Sequence, residues 1–133
     1  MNNNYAKSFT ASQIAGSISP LMLNERYCRD TILELLHGNN PKCPRCSELI
    51  SLQQLHGFCE LRRVRCYNCG AFFTAYTGTF LSGSQLSPTQ IILIAIFLEL
   101  GLSNTEIAKY SDLSTETIRL WRNKFKVIER IGE

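Results

Sequence analysis

No stretch of this 133-residue chain is apolar for long enough to cross a bilayer. The longest such run, Ile91 to Leu100, spans ten residues and includes Glu99, whereas a hydrocarbon layer of ~30 Å needs about 20. A membrane partner is therefore not expected. The first twenty residues also lack the basic start, apolar core and small-residue cleavage site of a secretory signal. The thiols are accordingly expected in a reducing, intracellular setting: cytoplasm or nucleoid, or nucleus in a eukaryote. Acidic residues are not gathered anywhere into a catalytic group. Asp30 and Asp112 stand alone in helix and turn contexts, without the partner acid that a two-metal site requires. No enzymatic step is expected from such a distribution. Histidine is scarce too, with only His37 and His56. Net charge is a modest +3, so any affinity for an acidic partner must come from local clusters of Lys and Arg.

Cysteine, by contrast, is arranged with purpose. Cys43-Pro44-Arg45-Cys46 and Cys66-Tyr67-Asn68-Cys69 are two Cys-x-x-Cys hooks with nineteen residues between them. Each hook bends the backbone so that both sulfurs face one centre, and two hooks supply the four corners of a tetrahedron. That donor set suits Zn²⁺ at ~2.3 Å per Zn–S bond and leaves no position open for substrate. The spacing falls within the window for paired-hook zinc sites, and in a reducing compartment zinc is favoured over disulfides. A thioredoxin-type role for the first hook is disfavoured, because that motif opens a helix after a strand and has no matching second hook. Cys28 and Cys59 fit neither hook and read as small buried apolar residues. His37 and His56 are poorly spaced as ligands, although His56 could substitute if one cysteine pointed away.

The remaining pattern divides the chain into four parts. Residues 1–23, rich in Asn, Ser and Thr without a sustained period, read as a mobile arm. Residues 24–38 read as a short amphipathic helix capped by Asn24 and closed by Gly38. Residues 41–79 read as a zinc ribbon of three short antiparallel strands: Leu49 to Leu55 and Phe58 to Arg65 around a His56-Gly57 turn, then Gly70 to Tyr76. So small a ribbon buries too little surface to fold unaided, and the metal must supply the difference. Residues 85–131 read as three helices. Ser87-Pro88-Thr89-Gln90 caps the first and Ser103-Asn104-Thr105-Glu106 the second, both as capping boxes. Ser114 caps the third, whose Ile118, Trp121, Phe125 and Ile128 share one face. The expected fold is thus small α+β, a zinc ribbon followed by a three-helix domain.

Ten of the fourteen basic residues fall in two segments, 42–65 and 115–133. A short capped helix, a tight turn and a longer basic helix make the helix-turn-helix arrangement, in which the last helix enters the major groove of double-stranded DNA. Thr115, Glu116, Thr117 and Arg119 form its polar tip. Arg119 is the first choice for a base contact, with Arg122, Lys124 and Lys126 following toward phosphate and Asn123 a further DNA-binding candidate on the polar faces. Arg62, Arg63 and Arg65 on the ribbon could clamp the DNA backbone without regard to sequence.

This order of parts resembles the N-terminal region of Merlin-related DDE transposases and their bacterial insertion-sequence relatives. The matching residues are Cys43, Cys46, Cys66 and Cys69, then Thr77-Gly78-Thr79-Phe80, the apolar helix 88–100, Ser103 to Ala108, and Ser114-Thr115-Glu116-Thr117 with Trp121. The resemblance spans residues 24 to about 128. It implies binding of transposon-end DNA. Family members continue into a nuclease domain with three metal-binding carboxylates, which this sequence does not contain, so strand cleavage is not expected. A transcription regulator, a transposition accessory or a remnant of such a transposase are the roles that the resemblance leaves open. Ser47 departs from the glycine that usually follows the ribbon's first hook, which bears on the tightness of that turn. The alternative is a protein-interaction module that docks onto a separate nuclease or regulatory subunit.

Overall fold

A computed structural model describes residues 7–11, 13, 14 and 24–131. They fall into two compact units, each interleaved in sequence: the described residues of Met1–Ser8 with Ile32–Ser84, and those of Phe9–Thr31 with Gln85–Glu133. Among the described residues there are five helices and one two-stranded antiparallel sheet, a small α+β composition. No helix among them is long and apolar enough to cross a membrane.

Helix α1, Glu25–His37, begins where Asn24 Oδ1 accepts the Tyr27 N–H at 2.8 Å. The cap satisfies one of the orphan donors of the first turn. Gly38, at φ +64°, ends the helix in the left-handed conformation open to glycine. Leu33 lies on the α1 face that joins the core of the first unit, with Cys43, Phe58, Cys66, Phe73 and Ala75.

Between the hooks the chain departs from the expected ribbon. Helix α2, Leu52–Cys59, takes the place of most of the strand expected over 49–55 and of the start of that expected over 58–65, of which Val64–Arg65 remains as strand, and the His56-Gly57 pair lies within the helix rather than at a turn. Leu52-Gln53-Gln54-Leu55 are good helix formers, and Leu55, Phe58 and Cys59 recur at i, i+3 and i+4. That spacing turns all three toward the first unit's core, where Phe58 is buried. A strand would have sent Phe58 and Cys59 to opposite faces. Leu61, at φ +62°, terminates the helix, and Arg62 N–H closes back on Gly57 O at 2.9 Å.

The sheet that remains is minimal. Strands β1, Val64–Arg65, and β2, Phe72–Phe73, pair with Val64 opposite Phe73 and Arg65 opposite Phe72. The third strand is thus two residues long rather than the seven expected. Downstream, Thr77-Gly78-Thr79-Phe80 folds into turns. Thr79 is fully buried, yet its hydroxyl donates to Tyr76 O at 2.7 Å and accepts from Leu81 N at 3.1 Å. A buried hydroxyl so satisfied costs little.

Part of the expected arm proves to be packed. Lys7 bridges to Thr79 and its carbonyl accepts the Phe80 N–H, while Phe9 and Ile14 are 1% and 0% exposed. Apolar residues without a clear period were buried by tertiary packing, which composition does not reveal. The rest of the 1–23 segment lies outside the described residues.

Lys7 also meets His37. The ring Nε2–H donates to Ala75 O at 2.6 Å, so Nδ1 is the acceptor facing Lys7 Nζ at 3.0 Å. Burial lowers the His37 pKa, the Ala75 carbonyl opposes that shift, and the Lys7 charge adds to it. The unfolded chain therefore takes up a proton that folded His37 resists. This contribution to stability is present above the ordinary imidazole value of ~6.5 and declines as pH falls through it toward the lower folded value. An NMR titration should give His37 an apparent pKa below ~6.5, moving upward in Lys7→Met. A value at or above 6.5 in the wild type would refute the neutral, Lys7-facing ring.

In the second unit, helix α3, Pro88–Glu99, opens with a complete capping box between Ser87 and Gln90. Ile91, Ile92, Ile94 and Ala95 are fully buried, as an all-round apolar helix requires. Helix α4, Asn104–Ser111, has its own box between Ser103 and Glu106, and Asp112 ends it in the left-handed conformation at φ +58°. Ser114 Oγ then accepts the Thr117 N–H at 3.1 Å and starts α5, Thr115–Ile131. The three helices pack on one another, with Ile107 and Ala108 from α4 and Ile118, Trp121, Phe125 and Ile128 from α5 buried. Phe9 joins them, its ring 6.0 Å from that of Phe125.

Candidate functional site

The two hooks are the same construction made twice. Cys43 N–H donates to Glu48 O at 2.8 Å and Cys66 N–H to Ala71 O at 2.8 Å. In the same way Ser47 N–H donates to Cys43 O at 3.0 Å and Gly70 N–H to Cys66 O at 2.9 Å. The residue after each second cysteine must turn left-handed, at φ +67° for Ser47 and +77° for Gly70. Serine adopts that conformation at some cost and glycine freely. The first turn is as tight as the second, despite lacking the glycine.

This backbone brings Cys43, Cys46, Cys66 and Cys69 together, their sulfurs all within 4.8 Å of one another. Across the hooks, Cys43 Sγ lies 3.7 Å from Cys69 Sγ and Cys46 Sγ 3.6 Å from Cys66 Sγ. A tetrahedron with ~2.3 Å metal–sulfur bonds has corners about 3.8 Å apart. The four thiols thus already hold the dimensions of a tetrahedral tetrathiolate shell. His37 and His56 do not belong to the cluster.

The surrounding donors favour thiolates. Arg45 N–H points at Cys43 Sγ at 3.4 Å, Cys69 N–H at Cys66 Sγ at 3.5 Å, and the Asn68 amide at Cys46 Sγ at 3.4 Å. The Asn68 amide and then the Glu48 N–H bring the Cys46 pKa down to about 6. Cys69 is the opposite case. The Ala71 N–H pulls its pKa down, but burial and the three neighbouring sulfurs together raise it to about 11. Without a cation, four sulfurs this close cannot all ionise, and a divalent metal relieves the repulsion by displacing the protons. Soft thiolates and tetrahedral geometry suit zinc. Four protein donors would close the shell, as in structural rather than catalytic sites. The cleft beside it measures about 120 Å³, well below the ~300 Å³ at which small-molecule sites begin. Asn68 is a contributor that spacing alone could not reveal, since its amide reaches across to the other hook.

No family model, curated protein or solved structure matches this chain.

Near the metal site, Arg62, Arg63 and Arg65 are exposed, with the Arg63 guanidinium 4.2 Å and that of Arg65 5.9 Å from the centroid of Phe72. In the second unit, Thr115, Glu116, Arg119, Asn123 and Lys126 are exposed on α5, and Thr117 is half-buried at its cap. Glu116 braces Arg119 through both carboxylate oxygens, with the Nε contact at 3.0 Å, and the pairing lowers the Glu116 pKa and raises that of Arg119. Lys124 lies 4.6 Å over the Trp121 ring and is partly withdrawn from solvent.

Arg122 is placed differently from the expectation that it would meet phosphate. Its guanidinium donates to Asn104 Oδ1 at 2.6 Å and to Leu102 O at 2.7 Å. Those bonds tie α5 to the first residue of α4 and to Leu102 just before it. Helical spacing put Arg122 off the apolar face, but only the packing of the helices showed that this flank meets Leu102 and Asn104.

Proposed function

We propose that the chain is a zinc-stabilised, sequence-specific double-stranded DNA-binding protein. In this reading the α4–turn–α5 segment is a helix-turn-helix, and the hooks with α2 and the β1–β2 pair form a compact variant of a zinc ribbon. The observation that carries it is the division of α5. One face is anchored by Ile118, Trp121, Phe125 and Ile128, while Glu116, Arg119, Asn123, Lys126 and Arg130 are exposed on the other side. A recognition helix needs this arrangement, with apolar anchors behind and a polar face toward the groove. Arg119, fixed in direction by Glu116, takes the base contact; Lys126 and Arg130 take phosphate. Arg122 acts by holding α5 in place. Arg62, Arg63 and Arg65 provide sequence-blind contacts. The resemblance to the end-binding region of Merlin-related transposases points to the same ligand class, in a transcription regulator or a transposition accessory. A closed tetrathiolate shell supports binding without catalysis.

Arg119→Ala should lower affinity for a selected duplex by ~1–3 kcal/mol and relax preference at one base pair. Lys126→Ala should weaken selected and scrambled duplexes alike and reduce the slope of log K against log salt by roughly one. Affinities of both variants and wild type across several salt concentrations provide the measurement. Unchanged discrimination in a folded Arg119→Ala would remove it from the reading role.

A second reading, docking onto a separate protein subunit, draws on the metal unit. Leu49, Leu52, Tyr67 and Phe72 are all more than half exposed there. Association of that kind would be nearly insensitive to salt, whereas DNA binding weakens steeply as salt rises.

A further inference from the structure

Helix α5 leaves large apolar side chains in solvent on the side away from its core. Leu120 is 54% exposed and Val127 36%, although the same helix fully buries Ile118. At 3.6 residues per turn, Glu116, Arg119, Leu120, Asn123 and Val127 fall at i, i+3, i+4, i+7 and i+11 and form one outward stripe. All five are exposed. Within it, Glu116 occupies the Nε–H and one Nη2–H of Arg119. Nη1 and the second Nη2–H have no partner among the described residues, which leaves a two-donor fork available.

We infer that Leu120 is a specificity-determining residue that reads the C5-methyl group of a thymine in the major groove, between a guanine contact from Arg119 and an adenine contact from Asn123. This rests on the duplex-DNA reading above and specifies its target. The donor fork of Arg matches guanine O6 and N7, the Asn amide matches adenine N6 and N7, and an aliphatic side chain matches only the thymine methyl. Arg119 and Asn123 are four residues apart, about 6 Å along the helix axis. Two base-pair steps, at ~3.4 Å each, cover nearly the same distance. The three contacts therefore fit within three consecutive base pairs.

The stripe is poorly suited to the other use of exposed leucine, a seam against a second helix. Such a seam needs an apolar residue every three or four positions. Val127 and Ile131, 60% exposed, are so spaced, but between Leu120 and Val127 the outward positions are Asn123 and Lys124, the latter laid across Trp121, and the apolar run is broken there. Lys126 and Arg130 flank the stripe, so the charge beside it complements phosphate.

The test uses the full zinc-loaded chain and a duplex selected from random sequence. Each thymine of that duplex is replaced in turn by uracil, which removes only the methyl group. For wild type, one replacement should weaken binding about four-fold, the effect of uncovering one buried methyl. Leu120→Ala should bind the thymine duplex about as weakly as wild type binds the uracil duplex, and should be indifferent to that replacement. Wild-type binding insensitive to every replacement would overturn the assignment while leaving duplex recognition intact. So would a uracil effect that persists in Leu120→Ala. A wild-type dimer that Leu120→Ala abolishes, without any uracil effect, would make the stripe a protein seam and equally overturn it. Failure to select any duplex would overturn the DNA-binding reading itself.

Discussion

Cys66→Ser is expected to release zinc and unfold the unit built from Ile32–Ser84. The sulfur removed is both a ligand and a core atom, since Cys66 and Cys43 belong to the same buried cluster as Phe58, Phe73 and Ala75. Little else holds that region together. Its sheet is two residues per strand and α2 has eight residues. Structural zinc in small domains supplies ~10–16 kcal/mol of apparent binding free energy at pH 7. That equals or exceeds the ~5–15 kcal/mol net stability of a typical domain, so a metal held there would decide whether the unit folds. Native mass spectrometry of wild type should show one zinc per chain, lost on the substitution or on chelation. Hydrogen exchange should then accelerate across residues 42–80, while amides in α3 stay protected, because none of the four ligands lies in the second unit. A metal-free chain with unchanged exchange across the hooks would contradict the assignment.

Trp121→Ala has the second largest expected effect, a loss of ~3–5 kcal/mol, the usual cost of truncating a buried aromatic. Trp121 is 7% exposed, its ring lies 6.1 Å from that of Phe125, and Lys124 covers it. Emptying that position leaves a void behind the helix that presents Arg119 and Leu120. The consequence differs in kind from that of a surface variant. Affinity for every duplex should fall together with the melting transition, independent of base sequence, whereas Arg119→Ala and Lys126→Ala should melt like wild type. Denaturant unfolding followed by circular dichroism supplies the stability, and duplex binding below the transition supplies the affinity. A Trp121→Ala protein within 1 kcal/mol of wild type would show that the ring is not the anchor of α5.

The parts of this protein that were legible in one dimension share a cause. Each rests on groups close together in sequence whose chemistry has one common solution. The hooks are such a case, because two-residue spacing sets the sulfur geometry before any tertiary contact forms. The capping boxes at Ser87 and Ser103 are another, with both reciprocal bonds present. So is the buried face of α5, where Ile118, Trp121, Phe125 and Ile128 follow the helical period without interruption.

Ambiguity arose where two periods competed over a short span. From Leu49 to Arg65 the residues accommodate both a hairpin and a helix, and His56-Gly57 suggested a turn. The hydrophobic spacing of Leu55, Phe58 and Cys59 prevailed once a core existed for them to face. Between Met1 and Pro20 no local pattern distinguished a free arm from a packed one, because the partners of Lys7 and Phe9 lie far along the chain at His37, Thr79 and Phe125.

By itself, then, the sequence determined the four sulfurs of the candidate metal centre, the caps and the polarity of the last helix, since these depend on neighbours within a few residues. Tertiary structure alone decided that α2 is a helix, that Phe9 and Ile14 are buried, and that Arg122 is engaged with Leu102 and Asn104 while Leu120 faces solvent. Each of those outcomes depends on which distant surface a side chain meets, and only the folded arrangement supplies that surface.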